Sequence, residues 1–343
     1  MKIVFLLPHI KKSGGVRIVL NYAHYLTKMG HKVFVVVETR SIYRHIKNMF
    51  FRGHPFLPFG SKVKFLRLRS LANMPKVDIV VADSWLMAEK LNKLDLDVPK
   101  LHYIQHDERM YHGDRDRINK VYALSMSKIF VSSCIKKSIQ KDLSVEGTVL
   151  LNTVDKKLFH PLVGEKSNSV NILLLCHDYE WKGTKEGVEI VNDLKKKYPN
   201  IKLWLFGSRQ KETTFDCDRY YYGLFRENLA ELYAKSDIFL CTSWDEGFGL
   251  PSLEAMACKC AVATYDNGGS RDFAFDGQTA LVAKRKDKEE LKNKLELLIK
   301  DKELRDKIAE GAYQFVQNMP TWEQQADKLE KILKGMIKNY EQN

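Results

Sequence analysis

Short apolar segments rich in β-branched residues alternate with longer stretches of helical periodicity along almost the whole chain. This alternation is typical of βαβ units and predicts parallel sheets covered by helices. A helix is predicted from Gly14 to the stop at Gly30, because Val16, Val19 and Ala23 keep the helical spacing. The strands predicted in the first half are Lys2–Leu7, Lys32–Val37, Val63–Leu68, Val77–Ala82, Lys100–Gln105 and Lys128–Ser132.

The polar stretch from Gly164 to Ser169 is typical of a linker and separates this region from a second one of the same kind. We therefore predict an α/β fold of two Rossmann-like doubly wound domains, residues 1–160 and 161–321, with a helix over 322–343 that can return to the first domain. Neither domain has a complete Gly-x-Gly-x-x-Gly fingerprint followed by an acidic residue, so a dehydrogenase is not indicated. The strands predicted in the second half are Asn171–Leu175, Ile201–Phe206, Tyr220–Tyr222, Asp237–Thr242, Ala261–Thr264 and Ala280–Val282.

Charge is distributed unevenly between these two regions. The 343 residues include 56 Lys and Arg against 43 Asp and Glu, a net charge of +13. Residues 1–160 hold 28 basic and 13 acidic residues, a net +15, and residues 161–343 hold 28 and 30, a net −2. A basic half can face nucleic acid, an anionic membrane or a polyanionic substrate, and charge alone does not separate these partners.

Apolar runs such as Ile3–Leu7 are far shorter than the roughly 20 residues that span a bilayer. The amino terminus also lacks the apolar core of a signal peptide, so we expect a cytoplasmic protein. Six cysteines have no paired spacing, and Cys258 and Cys260 lack the second half of a zinc site. Reduced structural thiols are therefore expected.

The segment Ser243–Ala257 carries the densest candidate chemistry. It follows a predicted buried strand and begins a helix, and Gly247 and Gly249 allow the backbone to approach a ligand at the positive end of that helix. Glu246 and Glu254 can flank one ligand, and carboxylates are good acceptors for sugar or ribose hydroxyls. The alternative makes Glu254 a partner of the helix dipole and Glu246 a solvated loop residue.

The spacing of Glu246 and Glu254, with Gly-Phe-Gly-Leu-Pro-Ser-Leu between them, closely resembles the signature of retaining glycosyltransferases of the GT-B fold, family four. Three further landmarks resemble the family in the same order: Pro8–Val37 with its paired glycines, the interdomain segment Asn152–Pro161, and the glycine pair of Gly268–Asp272. The resemblance covers nearly the whole chain. It implies two domains that face each other across a cleft.

The resemblance also implies a nucleoside-diphosphate sugar held by the second domain, an acceptor held by the first, retention of anomeric configuration, and no metal ion or other cofactor. The residue that matches Glu246 contacts sugar hydroxyls in this family, and the one that matches Glu254 holds the ribose. The backbone amides expected near the sugar and diphosphate are those of Gly247, Phe248, Gly249 and Leu250.

Lys182 matches the diphosphate-binding lysine of the family, although a lysine before a helix is otherwise more often a solvated charge. The family usually has an arginine five residues earlier, and this chain has His177 there. Either His177 is protonated beside the diphosphate, or another cation such as Arg209 or Arg17 replaces the arginine.

Four further residues are implied to approach the donor. Gly14 and Gly15 open the first helix, and this loop lies near the donor in the family. His106 directly follows a predicted strand and matches a region that places a histidine near the transferred sugar, with a satisfied loop histidine as the alternative. Phe225 matches a position whose backbone meets the base, although core packing explains it equally well. The predicted catalytic residues are Glu246, His106 and Lys182.

A basic stretch from Thr39 to Val77 contains no acidic residue and interleaves phenylalanines with the charges. The pattern of Arg40–Phe51 predicts an amphipathic helix of the kind that lies on an anionic membrane, with a solvated loop as the alternative. A soluble polyanionic acceptor fits almost as well, and nucleic acid is not expected because no reading motif accompanies the charge. The predicted membrane or acceptor patch consists of Arg40, Arg44, Lys47, Arg52, Lys62, Lys64, Arg67 and Arg69.

The sequence therefore predicts a retaining, metal-independent glycosyltransferase that acts in polysaccharide or lipid-linked glycan assembly, in the cytoplasm or peripherally on the inner membrane face. An epimerase or phosphorylase of the same fold is one alternative. A membrane- or polyanion-binding module with a decayed donor site is the other.

Overall fold

The computed structural model describes residues 1–39, 54–58, 60–111, 113–162, 169–208 and 212–342. The chain forms two compact units, Met1–Asn152 with Trp322–Asn343, and Thr153–Thr321. Residues 153–160, which the sequence placed in the first domain, belong to the second unit. A hydrogen bond joins the start of this segment to the end of the second unit: Thr153 Oγ1 donates to the carbonyl of Pro320 at 2.6 Å.

The first unit is built around a parallel sheet in the order β3-β2-β1-β4-β5-β6-β7. Each strand except the last was predicted to within two residues. The two-residue strand β7 is too short to show a pattern. The strands are β1 (Lys2–Leu7), β2 (Lys32–Glu38), β3 (Lys64–Leu68), β4 (Ile79–Ala82), β5 (Lys100–Ile104), β6 (Ser127–Phe130) and β7 (Thr148–Val149).

Helices cover this sheet, and the carboxyl-terminal helix is one of them. Its Trp322 ring lies edge-on to Tyr22 at 5.3 Å and stacks on Tyr25 at 6.4 Å, both on the first helix. His31 Nε2 and Glu330 Oε1 are 2.7 Å apart. The helices of the first unit are α1 (Gly14–Lys28), α2 (Trp85–Asn92), α3 (Arg115–Tyr122), α4 (Ser133–Asp142) and the carboxyl-terminal α10 (Trp322–Glu341).

The second unit contains a six-stranded parallel sheet in the order β10-β9-β8-β11-β12-β13. Its strands are β8 (Val170–Leu175), β9 (Ile201–Gly207), β10 (Arg219–Tyr222), β11 (Ile238–Cys241), β12 (Ala261–Tyr265) and β13 (Leu281–Ala283). Its helices are α5 (Thr184–Lys195), α6 (Glu227–Ala234), α7 (Leu250–Ala257), α8 (Lys288–Lys300) and α9 (Lys302–Asn318).

Strand order reverses once in each sheet, between β1 and β4 in the first unit and between β8 and β11 in the second. Chain segments leave these two neighbouring strands in opposite directions, which opens a crevice at their carboxyl ends. Ligands of open α/β sheets bind in such crevices. In the part of the chain that the structure describes, no helix combines the length and the apolar character needed to cross a membrane.

Candidate active site

Lys182 and Glu246 meet at the crevice of the second unit. Lys182 ends a short 3₁₀ turn, Glu180–Lys182, in the segment after β8, and Glu246 lies in the segment after β11. The Nζ of Lys182 is 2.6 Å from Oε1 of Glu246, and their side chains are only 18% and 11% exposed. The two residues that the sequence assigned to diphosphate and sugar are therefore neighbours.

The turn that carries Lys182 is held against the segment after β11. Thr242 Oγ1 donates to the carbonyl of Lys182 at 2.9 Å, and the amide of Trp244 donates to the carbonyl of Trp181 at 2.8 Å. Gly183 follows with φ +65°, and a Cβ there would lie 2.4 Å from the Thr242 carbonyl oxygen. Only glycine fits both the backbone conformation and this close approach.

A second loop supports Glu246 from the other side. The amide of Glu246 donates to the carbonyl of Asn267 at 3.0 Å. A Cβ on Gly269 would lie 2.4 Å from the Glu246 carbonyl oxygen. Asn267 Oδ1 accepts from both the amide and the hydroxyl of Ser270, which closes the loop on itself. The glycine pair found in the sequence thus lets this loop contact the backbone that carries Glu246.

Helix α7 begins at Leu250, four residues after Glu246. Gly249 is its N-cap with φ +94°, and the buried Phe248 ring packs against Phe273 with centroids 5.2 Å apart. The amides at this amino terminus form a binding place for an anion. Glu254 is 3% exposed and is the fifth residue of α7, which starts at Leu250. It therefore lies just beyond the first turn of the helix, whereas the sequence predicts it within that turn.

His177 anchors the segment after β8. Its backbone amide donates to Thr184 Oγ1 at 2.9 Å, and its Nδ1 accepts the backbone N–H of Tyr179 at 3.1 Å. The Oδ1 of Asp178 lies 3.7 Å from the same Nδ1. Of the alternative cations, Arg209 lies outside the described residues and Arg17 lies on α1 of the first unit.

The predicted residues of the first unit gather at the carboxyl ends of its strands. Gly14 and Gly15 form the first positions of α1, after the N-cap Ser13. His106 follows β5, and its carbonyl accepts a hydrogen bond from Tyr122 Oη at 3.3 Å.

Phe225 belongs to the second unit, where it lies half-buried between β10 and α6.

Sequence reasoning missed a polar network beside His106. The side chain of Arg109 is 3% exposed and binds Asp107 at 2.7 Å and Asp142 at 2.9 Å. Burial by itself raises the pKa of Asp107, but the hydrogen bonds and charge of Arg109 outweigh it and lower that pKa. Burial raises the pKa of Glu108 to about 8, although its Oε2 accepts the amide of Trp85 at 2.8 Å.

Half of the predicted basic patch can be placed. Lys64 and Arg67 lie on β3, the edge strand, and their positions alternate to opposite faces. Lys62 precedes the strand and Arg69 follows it, so these charges are spread along an edge. Charges on an edge strand also prevent it from pairing with another strand. The remaining predicted residues, Arg40, Arg44, Lys47 and Arg52, lie outside the described residues, as does the amphipathic helix predicted for Arg40–Phe51.

Residues 159–315, which include Lys182, Glu246 and Glu254, match the family described as glycosyl transferases group 1. This region is a group 1 glycosyltransferase domain. The assignment to the GT-B glycosyltransferases that the sequence predicted is confirmed. Within the described residues, no group of three or more His, Cys, Asp or Glu side chains is arranged to hold a metal ion.

One curated relative of the chain is the N,N'-diacetylbacillosaminyl-diphospho-undecaprenol alpha-1,3-N-acetylgalactosaminyltransferase of Campylobacter jejuni. It is 28% identical over 187 residues, which cover 53% of this chain and 49% of the relative. The chain spans about half the length of the curated relatives it matches in this way.

Solved structures resemble the chain over nearly its whole length. Sucrose-phosphate synthase from Thermosynechococcus elongatus has a TM-score of 0.81 at 16% identity, with 98% of this chain and 99% of that one covered. HepE from Anabaena in complex with UDP-glucose has a TM-score of 0.78 at 16% identity, with 98% of this chain and 100% of the HepE chain covered. At such identities the likeness confirms the predicted two-domain GT-B fold.

Proposed function

We propose that the chain is a retaining glycosyltransferase that moves a sugar from a nucleoside diphosphate to an acceptor hydroxyl without a metal ion. The observation that carries the proposal is the Lys182–Glu246 contact of 2.6 Å at the crevice of the group 1 domain. Lys182 supplies positive charge for a diphosphate, the amino terminus of α7 supplies backbone amides, and Glu246 accepts hydrogen bonds from sugar hydroxyls.

In the proposed reaction the bond between the anomeric carbon and the diphosphate oxygen breaks as the acceptor oxygen attacks from the same face. The leaving diphosphate takes the acceptor proton. Lys182 and the amides that begin α7 stabilise its developing negative charge, while Glu246 orients the sugar and Glu254 holds the ribose. The family resemblance also gives His106 of the first unit a contact with the sugar.

We further propose a lipid-linked or polymeric glycan as the acceptor. The Campylobacter jejuni relative is named for transfer to an undecaprenol-linked saccharide, which supports a lipid-linked acceptor for this chain. The basic edge residues Lys62, Lys64, Arg67 and Arg69 fit an anionic membrane surface or an acidic acceptor. HepE was solved with UDP-glucose, which makes uridine diphosphate sugars the first donors to test.

The test incubates the chain with isotopically labelled UDP-sugars and an acceptor, and NMR then determines the anomeric configuration of the product. The proposal expects retention, and a product of inverted configuration would contradict the mechanism. Lys182→Met and Glu246→Gln should each lower transfer strongly without unfolding the chain. The matched control is Lys185→Met, because Lys185 is an exposed lysine on the first turn of α5. Interconversion of sugars without an acceptor would instead indicate an epimerase.

A further inference from the structure

Asp83 occupies the crevice of the first unit. It directly follows β4, and its backbone amide donates to the carbonyl of Leu6 at the end of β1 at 3.1 Å. The order of the sheet reverses between these two strands, so Asp83 sits where an open parallel sheet binds its ligand. The second unit presents Glu246 at the corresponding crevice, in the segment after β11.

A single amide group connects Asp83 to the glycine turn that opens α1. Gln105 Nε2 donates to Asp83 Oδ1 and also to the carbonyl of Gly15, at 3.1 Å from the latter. A Cβ on Gly15 would lie 3.1 Å from that same nitrogen, so the turn and the amide are in close contact. The segments that leave β1, β4 and β5 are therefore joined through one side chain.

Asp83 has no cationic partner among the described residues, unlike Glu89 and Asp107 of the same unit. Glu89 pairs with Arg117 at 2.6 Å and Asp107 pairs with Arg109 at 2.7 Å. Burial is the largest of the effects that raise the pKa of Asp83 well above its usual value. The hydrogen bond from Gln105 lowers this pKa in part, and the charge of Glu108 raises it. A half-buried carboxyl group without a cation lowers the stability of the folded chain. Carboxyl groups with such shifted pKa values are common at functional sites.

Helix capping does not explain this residue. The N-cap of α2 is Ser84, whose own hydroxyl accepts the amide of Met87. In the described part of the chain, Gln105 is the one side chain that hydrogen-bonds to the Asp83 carboxyl, so the second carboxyl oxygen has lone pairs to offer to a ligand.

We propose that Asp83 binds the acceptor by accepting a hydrogen bond from a hydroxyl of its sugar, with Gln105 as the residue that positions the carboxyl. The inference rests on the proposed function, because it assigns the second substrate of that reaction to the crevice of the first unit. Carboxylates that accept hydrogen bonds from hydroxyls are well suited to saccharide recognition.

The test compares Asp83→Asn with wild type in two assays that use UDP-glucose and UDP-N-acetylgalactosamine as donors. One assay measures transfer to octyl β-glucoside or octyl N-acetyl-β-glucosaminide, whichever wild type accepts better, and the other measures hydrolysis of the donor without acceptor. Loss of the hydrogen bond from the acceptor hydroxyl should raise the acceptor KM about tenfold. The donor KM and the hydrolysis rate should stay within about twofold of wild type.

The matched control is Glu89→Gln, which neutralises a paired surface carboxylate of the same unit and should leave the acceptor KM unchanged. An unchanged acceptor KM in Asp83→Asn, or an equal loss of transfer and hydrolysis, would overturn the assignment. Should Asp83→Asn not fold, Gln105→Leu keeps the carboxyl but removes its support, and an unchanged acceptor KM in that variant would overturn it as well. Absence of both hydrolysis and transfer in wild type would instead count against the proposed function.

Discussion

Gly183→Ala places a methyl group directly behind the turn that carries Lys182. The new Cβ would lie 2.4 Å from the Thr242 carbonyl oxygen and 2.9 Å from its Cβ. Real Cβ atoms essentially never approach other atoms within 3.0 Å, so the turn must withdraw from the segment after β11 by at least 0.6 Å along this contact. Lys182 would move away from Glu246 with it.

Two costs add in this variant. A non-glycine residue in the left-handed region, here at φ +65°, costs about 1–2 kcal/mol. Overpacking of a close contact costs about 1–3 kcal/mol more. We therefore expect the free energy of unfolding to fall by about 2–5 kcal/mol in Gly183→Ala.

Gly277→Ala separates the two costs. Gly277 has a similar φ of +72°, but no atom lies within 4 Å of its added Cβ, so only the conformational cost of about 1–2 kcal/mol applies. Urea unfolding followed by tryptophan fluorescence measures both variants, and nucleoside diphosphate binding should weaken only in Gly183→Ala. Equal destabilisation of the two variants would refute the close approach described here.

Three further changes test other parts of the structure. His102 is fully buried, and burial lowers its pKa from 6.5 to about 3, so the unfolded chain takes up a proton that the folded chain does not. The free energy of unfolding should fall by about 2 kcal/mol from pH 7 to pH 5, and His102→Leu should remove that part of the slope in urea titrations; an unchanged slope would contradict the assignment. Gly269→Ala should displace the backbone of Glu246 and lower the transfer rate about 100-fold, with a rate within twofold of wild type as the contrary result. Arg109→Met leaves Asp107 buried without its cation and should cost about 3–5 kcal/mol of unfolding free energy; a loss below about 1 kcal/mol would show that the pair is not buried as described.

The sequence predicted most of the fold because buried parallel strands are continuous apolar runs that helices separate. It located β1 at Lys2–Leu7 without error. The boundary between the units was placed too late, because the hydrogen bond from Thr153 to Pro320 joins positions far apart in the chain and leaves no local pattern.

The candidate site was predictable where residues belong to a local motif. Two separate motifs predicted Glu246 and Lys182 as site residues, but their contact depends on two loops that meet only in the folded sheet. Asp83 and Gln105 belong to no motif, and Gln105 Nε2 reaches both Asp83 Oδ1 and the carbonyl of Gly15 only after the strands of the sheet have come together. The signal that could have identified Asp83 is its position directly after a predicted strand. This signal points to a ligand site only if that strand is also known to lie where the strand order reverses.

Calorimetric titration of uridine diphosphate into wild type, Lys182→Met and Lys185→Met tests the central claim most directly, namely that the crevice beside Lys182 and Glu246 holds the donor. The account predicts binding to wild type, an affinity at least about tenfold weaker in Lys182→Met because a charge-assisted contact with the diphosphate is lost, and an unchanged affinity in Lys185→Met. Equal affinity in wild type and both variants would contradict it.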